Sequence, residues 1–246
     1  MQNPSFLAIN HQAALQRQMD VIANNLANAS TTGFKSQRIM FAEMLNGRAA
    51  NPALSEGSRV AFVEEIGMLR DTRDGQMLST GNQLDLAISG PGYFAVETPG
   101  GVRYTRDGRF RLGPDGRVMT QDGFALLDQG GRPISVRAGD SHIEVARNGR
   151  VTTDSGEIGR VQVATFDNEQ ALRAQGNGLY ASDIDPTPAD QRSEVQQGML
   201  EGSNVQSVAE MTNMIEVLRR YQSAQKIIDN ETDRERKAIE RLGRVS

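Results

Sequence analysis

Apolar residues recur with a helical period near both ends of the chain. Residues 5–28 place them at heptad spacing, and residues 203–228 repeat the pattern in steps of three and four. Polar residues fill the other faces, so each segment is predicted to form an amphipathic helix. The first stripe consists of Ala8, Leu15, Met19, Ile22 and Leu26. The second, which has a gap near Tyr221, consists of Val208, Met211, Ile215, Leu218, Gln225 and Ile228.

Both predicted helices carry boundary signals. The first runs into a turn-forming cluster at residues 28–33, where Gly33 is free to adopt a positive φ and to let the chain leave the helix. Ser203 and Gln206 have the spacing of a capping box at the start of the second helix. Residues 229–244 are dense in charges of both signs, which predicts either a solvated extension of this helix or a frayed end.

Between the two helices the hydrophobic pattern changes to a period of two. Short alternating segments are separated by Asp-Gly, Asn-Gly and Gly-Gly pairs, which are strong local signals for β-hairpins. Residues 81–190 are therefore predicted to form an antiparallel β-domain, and residues 36–80 a linker or an extended β-excursion. The turn pairs are Asp107-Gly108, Asp115-Gly116, Asp122-Gly123, Gly130-Gly131 and Asn148-Gly149.

These elements indicate an α+β fold in which the N- and C-terminal helices pair as a coiled coil. Burying one apolar stripe against the other is the simplest solution. Residues 1–35 and 191–246 would then form a coiled-coil domain into which the antiparallel β-domain is inserted. A two-helix pair buries only one face of each helix, so other copies of the chain would cover the rest. The same stripes could instead dock on the β-domain.

Three asparagines near the end of the first helix admit two interpretations. Helical spacing places Asn24 or Asn25 on the same face as Asn28. Polar residues near a helix–helix contact can fix its register and its choice of partner. Alternatively, the three residues simply terminate the helix, and spacing alone favours this second interpretation.

Composition and charge exclude several classes of function. The 246 residues carry a net charge of −4 with both signs mixed along the chain, unlike the basic surface of a nucleic-acid binder. No apolar run approaches the roughly 18 residues of a membrane-spanning helix, and the N-terminus lacks the features of a cleaved secretory signal. The chain has no cysteine and two distant histidines, His11 and His142. We therefore expect no metal, no cofactor and no catalytic site.

One pattern keeps an enzymatic alternative open. Glu43, Glu64 and Glu65 could supply the paired carboxylates that hydrolyse a glycan. The chain has no Trp and only four Tyr to form a sugar-binding platform, and charged pairs in a polar segment are usually solvated. The Asp-Gly turns also lack the ligand spacing of a calcium loop. Glycan hydrolysis is therefore the weakest of the hypotheses.

Ordered motifs along the chain resemble those of flagellar basal-body rod and hook proteins. Residues 20–35 (DVIANNLANASTTGFK) resemble the signature of this family, and further motifs follow in the order typical of it. Together the motifs cover roughly half of the chain and include both ends. The later motifs are residues 80–88 (TGNQLDLAI), 90–96 (GPGYFAV), 104–110 (YTRDGRF), 120–124 (TQDGF), 198–205 (GMLEGSNV), 210–211 (EM) and 220–222 (RYQ).

The resemblance implies a structural subunit of the flagellar axis. Members of the family are exported by the flagellar type III apparatus as largely unfolded chains without a cleaved signal. They stack in the periplasm-spanning rod, which transmits torque from motor to hook, with the terminal helices inside and the β-domain outside. The implied partners are other copies of this chain, other rod proteins and the export apparatus, with no nucleic acid and no insertion into the membrane.

Within this family, residues 14–20 are most similar to the proximal rod subunit. The distal rod subunit and a rod-associated binding or cap module are the alternatives. The resemblance implies interface residues rather than catalytic ones, with asparagines setting the register. The expected contacts join Leu15, Met19, Ile22 and Leu26 to Met211, Ile215, Leu218 and Ile228, beside Asn24, Asn25 and Asn28.

Overall fold

The computed structural model describes residues 4–46, 60–140, 142–188 and 193–243. The two α-helices lie at the ends of this part of the chain, and strands, loops and one short 3₁₀ helix lie between them. The elements in chain order are α1 (Pro4–Ala27), β1 (Gln37–Asn46), β2 (Val60–Arg70), β3 (Met77–Ser79), β4 (Leu86–Ser89), β5 (Tyr93–Thr98), β6 (Gly101–Thr105), β7 (Phe110–Leu112), β8 (Val118–Thr120), β9 (Ala125–Leu126), β10 (Ile143–Val145), β11 (Arg150–Thr153), β12 (Gly156–Arg160), β13 (Val163–Thr165), a 3₁₀ helix (Glu169–Ala171), β14 (Arg173–Ala174), β15 (Leu179–Ala181), β16 (Thr187–Pro188), β17 (Glu194–Gln197), β18 (Met199–Glu201) and α2 (Ser207–Gly243).

The elements belong to two compact units. Strands β1 and β2 group with the helices in unit 1, whereas β3 and all later strands lie in unit 2. The segment predicted as one linker or β-excursion, residues 36–80, is therefore split between the units. Unit 1 comprises Met1–Ala27, Gln37–Arg70 and Gln206–Ser246, and unit 2 comprises Asn28–Ser36 and Asp71–Val205.

Strands β1 and β2 form a long antiparallel hairpin in unit 1. Their register runs from Gln37 opposite Arg70 to Asn46 opposite Val60. A bulge follows Met40, where one extra residue on β2 shifts the register. The alternation of apolar and polar residues that this hairpin needs is weak, which is why the sequence did not predict two defined strands.

Helix α2 extends to Gly243, so the charged residues 229–243 continue the helix rather than fray. Side chains one turn apart support this extension. Gln225 Nε2 donates to an Asp229 carboxylate oxygen at 3.0 Å, and Arg234 pairs with Glu231 at 2.9 Å. The predicted capping box is wrong, because Ser203 lies outside the helix and its Oγ accepts the backbone N–H of residue 205 at 3.2 Å.

The strand pairs of unit 2 are antiparallel, and the predicted α+β class with antiparallel sheets is confirmed. The largest sheet has the order β14-β15-β6-β5-β9-β8-β7, and β13 pairs with both β5 and β16. Strands β10, β11 and β12 form a separate sheet. Two further pairs, β17 with β4 and β18 with β3, join strands that are more than 100 residues apart along the chain.

Two apolar clusters form the core of unit 2. The larger cluster includes the buried Phe94, Phe110 and Leu126. The second is aromatic, with the Tyr93 and Tyr180 rings in an edge-to-face contact at 5.6 Å between centroids. Alternate residues of β5 contribute to the two clusters, as expected for a strand buried on both faces.

Most of the predicted turn pairs reverse the chain between antiparallel neighbours, but Asp107-Gly108 does not. Strands β6 and β7 on either side of it pair with other strands, β15 and β8 respectively. A side chain at Gly108 would place its Cβ 1.5 Å from the backbone oxygen of Leu86, so close backbone contact explains this glycine. The turns that reverse the chain are Asp115-Gly116, Asp122-Gly123, Gly130-Gly131 and Asn148-Gly149.

Candidate assembly interface

Helices α1 and α2 pack against each other through a small apolar seam. On α1 it contains the buried Leu15 and Ile22, with Met19 partly buried beside them. On α2 it contains the buried Val217 and Ala224. Met214 and Tyr221 lie one turn from these residues and complete the cluster, which we call the seam.

Polar pairs lie at both ends of the seam and show that the helices run antiparallel. At one end, Gln12 Nε2 donates to Gln225 Oε1 at 2.5 Å. At the other end, Asn25 Nδ2 lies 3.5 Å from a Glu210 carboxylate oxygen. The Asn25 amide also holds the start of β1, because Nδ2 donates to the Gln37 carbonyl at 2.8 Å and Oδ1 accepts the Gln37 N–H at 2.9 Å.

A second apolar stripe on α2 faces solvent. Its spacing of three, four and three residues is that of a heptad seam, and between 43% and 80% of each residue is exposed. With 3.6 residues per turn, it lies roughly 120° around the helix from the seam. We call these residues the α2 stripe: Val208, Met211, Ile215 and Leu218.

The predicted interface residues are thus divided between two surfaces. Leu15, Met19 and Ile22 lie in the seam as part of one chain, whereas Leu26 and Ile228 are half-buried. Met211, Ile215 and Leu218 are exposed and lie outside the seam, which uses a different face of α2. A contact of these three residues with another subunit remains a prediction.

The three asparagines occupy different environments. Asn25 is buried and bonded to β1, whereas the adjacent Asn24 is exposed. Asn28 is half-buried, and its backbone and side-chain oxygens both accept from Thr31, at 3.1 Å in each case. Asn28 therefore stabilises the turn that follows α1, while Asn25 acts between elements. Ala8, in the predicted first stripe, lies outside the described side chains.

Unit 2 contains a buried ionic cluster of Lys35, Arg106 and Glu201, with 1%, 2% and 1% of each residue exposed. Lys35 Nζ lies 2.6 Å from Glu201 Oε1, and Arg106 Nη1 lies 2.9 Å from Glu201 Oε2. The half-exposed Asp74 lies 3.7 Å from Lys35 and 3.6 Å from Arg106. We call Lys35, Arg106 and Glu201 the junction cluster. Lys35 and Glu201 lie within a few residues of points where the chain passes from one unit to the other, and Arg106 contacts Glu201.

The junction cluster keeps Glu201 ionised. Burial alone would raise the pKa of Glu201, but Arg106 and Lys35, together with the N–H of Gly75 at 2.9 Å, outweigh burial and lower that pKa. Backbone carbonyls accept further hydrogen bonds from both cations: Lys35 Nζ donates to Arg73 O at 2.8 Å, and Arg106 Nη2 to Gly90 O at 2.6 Å, whereas the buried Arg106 Nε has no hydrogen-bond partner among the described residues. A buried charge with this many partners is stable where an unpaired one would not be.

Gly33 lies against the junction cluster in a conformation that suits glycine. Its φ is +68°, and an added Cβ would lie 2.4 Å from the backbone carbon of Arg106. Both the backbone angle and the close approach exclude a side chain here.

Sequence reasoning did not identify the junction cluster as a site. Lys35 and Glu201 are 166 residues apart, so no local spacing links them. The signal that could have found them is that each residue lies in a different one of the family motifs: residues 20–35, 104–110 and 198–205. These motifs therefore converge on one buried group of charges.

The side chains that the sequence offered for chemistry do not come together in the described part of the structure. That part of the chain contains no group of His, Asp or Glu side chains arranged to hold a metal ion. His11 and His142 are exposed. The side chains of Glu43, Glu64 and Glu65 lie outside the described ones, although their backbones belong to β1 and β2. Neither α1 nor α2, as far as each is described, has an apolar run long enough to cross a bilayer.

Three segments of the chain match known protein families. Residues 8–35 match the family described as "Flagella basal body rod protein". Residues 87–153 match the "Flagellar hook protein FlgE/F/G D1 domain", and residues 196–241 match "Flagellar basal body rod FlgEFG protein C-terminal". Lys35, Arg106 and Glu201 lie in the first, second and third of these segments respectively.

Full-length relatives agree with these matches. The chain is 39% identical to the flagellar basal-body rod protein FlgF of Caulobacter vibrioides, over 100% of both chains. The chain belongs to the flagellar basal-body rod protein family. It is also 31% identical to FlgF of Rhizobium meliloti, over 99% of both chains, and 32% identical to the rod protein FlgG of Agrobacterium fabrum, over 87% of this chain and 90% of the relative.

Membership in the rod family defines the kind of site to expect. Flagellar rod proteins are structural proteins rather than enzymes. We therefore expect functional residues that join chains or stabilise the fold. The C-terminal family segment contains the whole α2 stripe, and the N-terminal segment contains the α1 side of the seam. Both helix surfaces therefore lie in the parts of the chain that define the family.

Proposed function

We propose that this protein is a structural subunit of the proximal flagellar rod that assembles axially and transmits torque from motor to hook. It would join other copies of itself and other rod proteins. The chain aligns with FlgF proteins over 99–100% of its length, but with the FlgG relative over only 87% of its length. This difference supports the proximal position. The distal rod position remains the alternative within the family.

The observation that carries the proposal is the exposed α2 stripe. The seam already supplies α1 with a partner within the chain, yet four apolar residues at heptad spacing still face solvent. A second helix fits such a surface, because residues three and four apart form the knobs and holes of helix packing. Joining unlike surfaces of successive subunits produces an open assembly, which is the geometry of a rod.

The helices would form the inner part of the rod. We infer that α1 and α2 of neighbouring subunits extend the antiparallel pair into a coiled-coil layer, with residues 1–35 and 191–246 as the inner domain and the β-domain of residues 81–190 outside. Asn24 and Asn28 would contribute to register at this layer, while Asn25 holds β1. The chain would reach the periplasm-spanning rod through the flagellar type III export apparatus, without a cleaved signal peptide.

A substitution on the α2 stripe tests the proposal. In cells that lack the chromosomal gene, Ile215→Ser is expected to abolish swimming and to give basal bodies whose rods stop short in electron micrographs. Ile227→Ser is the matched control, because Ile227 is exposed to 58% and Ile215 to 53%, on different faces of the same helix. Normal rods with Ile215→Ser, or equal failure of both variants, would contradict a role specific to the stripe.

The same cells separate the proposed subunit from a cap module. A rod subunit is expected in many copies in purified basal bodies, whereas a rod-associated cap would be substoichiometric.

The length of the rods in the strain without the gene distinguishes the proximal from the distal position. Rods that end near the base would favour the proximal position. Rods of nearly full length would favour the distal position.

A further inference from the structure

Three chain segments of unit 2 are tied together beside the junction cluster. Gly33 N–H donates to the Glu201 carbonyl at 2.8 Å, which joins residues 31–36 to residues 199–204. Asp71 N–H donates to the Ser36 carbonyl at 2.8 Å, which joins residues 71–75 to the first segment. Each segment is thus bonded to another that is distant in sequence.

Asn204 completes the connection between the three segments. Its Oδ1 accepts the Ser36 N–H at 2.7 Å, and its Nδ2 donates to the carbonyls of Asp71 and Arg73, both at 2.9 Å. One side chain near the start of α2 therefore holds the segment that follows α1 and the segment that follows β2. An amide can satisfy donors and acceptors at once, which suits it to this position.

These segments include every covalent connection between the two units. The chain passes between the units after residues 27, 36, 70 and 205, and residues 28–36, 71–75 and 199–205 adjoin these four points. The connections to α1, to the β1–β2 hairpin and to α2 therefore all begin at one place in unit 2.

The charges of the cluster make the three segments dependent on one another. Lys35 and Arg106 are two buried cations, and Glu201 is the buried anion that both contact. Asp74, which is 38% exposed, contacts both cations at longer distances. Removing the Glu201 charge would leave two buried cations with one half-exposed counter-charge, which strongly disfavours the closed arrangement.

We propose that the junction cluster and Asn204 form a clamp that makes the three connecting segments open and close as one cooperative unit. None of the three segments can detach from the clamp without loosening the other two. The clamp is a property of the single chain and does not depend on assembly. In an assembled subunit, it would pass a load on either helix to the same point of unit 2.

Amide hydrogen exchange on the purified full-length chain tests the clamp. In Glu201→Gln, the amides of Ser36 and Asp71 are expected to exchange at least about tenfold faster, although neither bonds to the Glu201 side chain. Strands β10, β11 and β12 should keep their protection. Asp183→Asn is the matched control, because it breaks an exposed ion pair with Arg173 in the same unit, at 2.6 Å. Faster exchange confined to residues 199–204 would overturn the proposal.

A second variant keeps the test decisive if Glu201→Gln does not fold. Glu201→Gln should lower the thermal midpoint of unfolding by roughly 10 °C. Lys35→Met should lower it less, because it leaves one buried cation opposite one buried anion. The double variant should melt above Glu201→Gln alone, since it removes the excess buried cation. A double variant that melts lower, or that also fails to fold, would overturn the charge-based coupling.

Discussion

Asn24 and Asn25 are adjacent in sequence but have opposite environments. Asn24 is exposed, whereas the amide of Asn25 exchanges two hydrogen bonds with the backbone of Gln37, as a neighbouring strand would. Gly33 and Glu201 also bond to distant segments, because the Gly33 N–H donates to the Glu201 carbonyl and the Glu201 carboxylate accepts from Lys35 Nζ. Each of these three residues, Asn25, Gly33 and Glu201, therefore links segments that are separated along the chain.

Replacing Asn25 tests this interpretation within unit 1. Asn25→Ala removes the two hydrogen bonds between the Asn25 side chain and the N–H and carbonyl groups of Gln37. It should lower the free energy of unfolding by roughly 1–3 kcal/mol. Asn24→Ala, at the neighbouring position whose side chain is exposed rather than buried, should lower it by less. Urea denaturation measures both variants. Equal losses would show that Asn25 acts only through helix propensity.

Gly33 allows backbone strain to be separated from steric contact. Gly33→Ala and Gly131→Ala place a side chain at similar angles, φ +68° and φ +73°, and each should cost roughly 1–2 kcal/mol for the left-handed backbone. Only at Gly33 does the new Cβ meet another atom, and nothing lies within 4 Å at Gly131. Gly33→Ala should therefore unfold at a lower urea concentration. Identical midpoints would exclude the steric contribution.

Glu201 should make stability depend on pH in acid. The pKa of Glu201 is lowered in the folded protein, so the unfolded chain binds its proton at a higher pH, about 4.3 for a free Glu. The stabilisation is present above that pH and is lost as the pH falls through the folded value. The stability difference between the natural protein and Glu201→Gln should shrink from pH 5 to pH 3 in urea titrations. A constant difference would contradict this linkage.

At the scale of elements, α2 has two faces with different roles. On α2, the seam contains Tyr221 and the small Ala224, and the charged Glu210 lies at one end of it. The α2 stripe contains no polar, aromatic or alanine side chain. The stripe is thus the more apolar face, and the hydrophobic period in the sequence selects it. The sequence therefore predicted the helix and its apolar face correctly, but not which face meets α1 in the same chain.

The two faces predict different effects on the isolated chain. Val217→Ala removes about two methyl groups from the seam and should destabilise the helix pair by roughly 2 kcal/mol. Amide exchange should become faster in α1 as well as in α2, because each helix depends on the other for burial. Ile215→Ala should leave exchange in both helices unchanged. Faster exchange confined to α2 in Val217→Ala would show that the seam contributes little.

At the scale of the whole molecule, the chain is two units that share their connections. The presence of the two helices follows from local apolar periods, although α2 begins later and ends later than its apolar period indicates, and the antiparallel strands follow from alternation and turn pairs. The β1–β2 hairpin and the junction cluster could not be derived in this way. The alternation of apolar and polar residues along β1 and β2 is weak. Glu201, the partner of Lys35, lies 166 residues away along the chain, so only folding brings that pair together.

The most direct test of the rod proposal is the chemical accessibility of the α2 stripe before and after assembly. The natural chain has no cysteine, so Ile215→Cys introduces a unique thiol, and Ile227→Cys places the same probe on another face of α2. We predict that an alkylating reagent modifies residue 215 rapidly in the purified monomer and very slowly in isolated basal bodies. Equally rapid modification of residue 215 in both states would contradict assembly through the stripe.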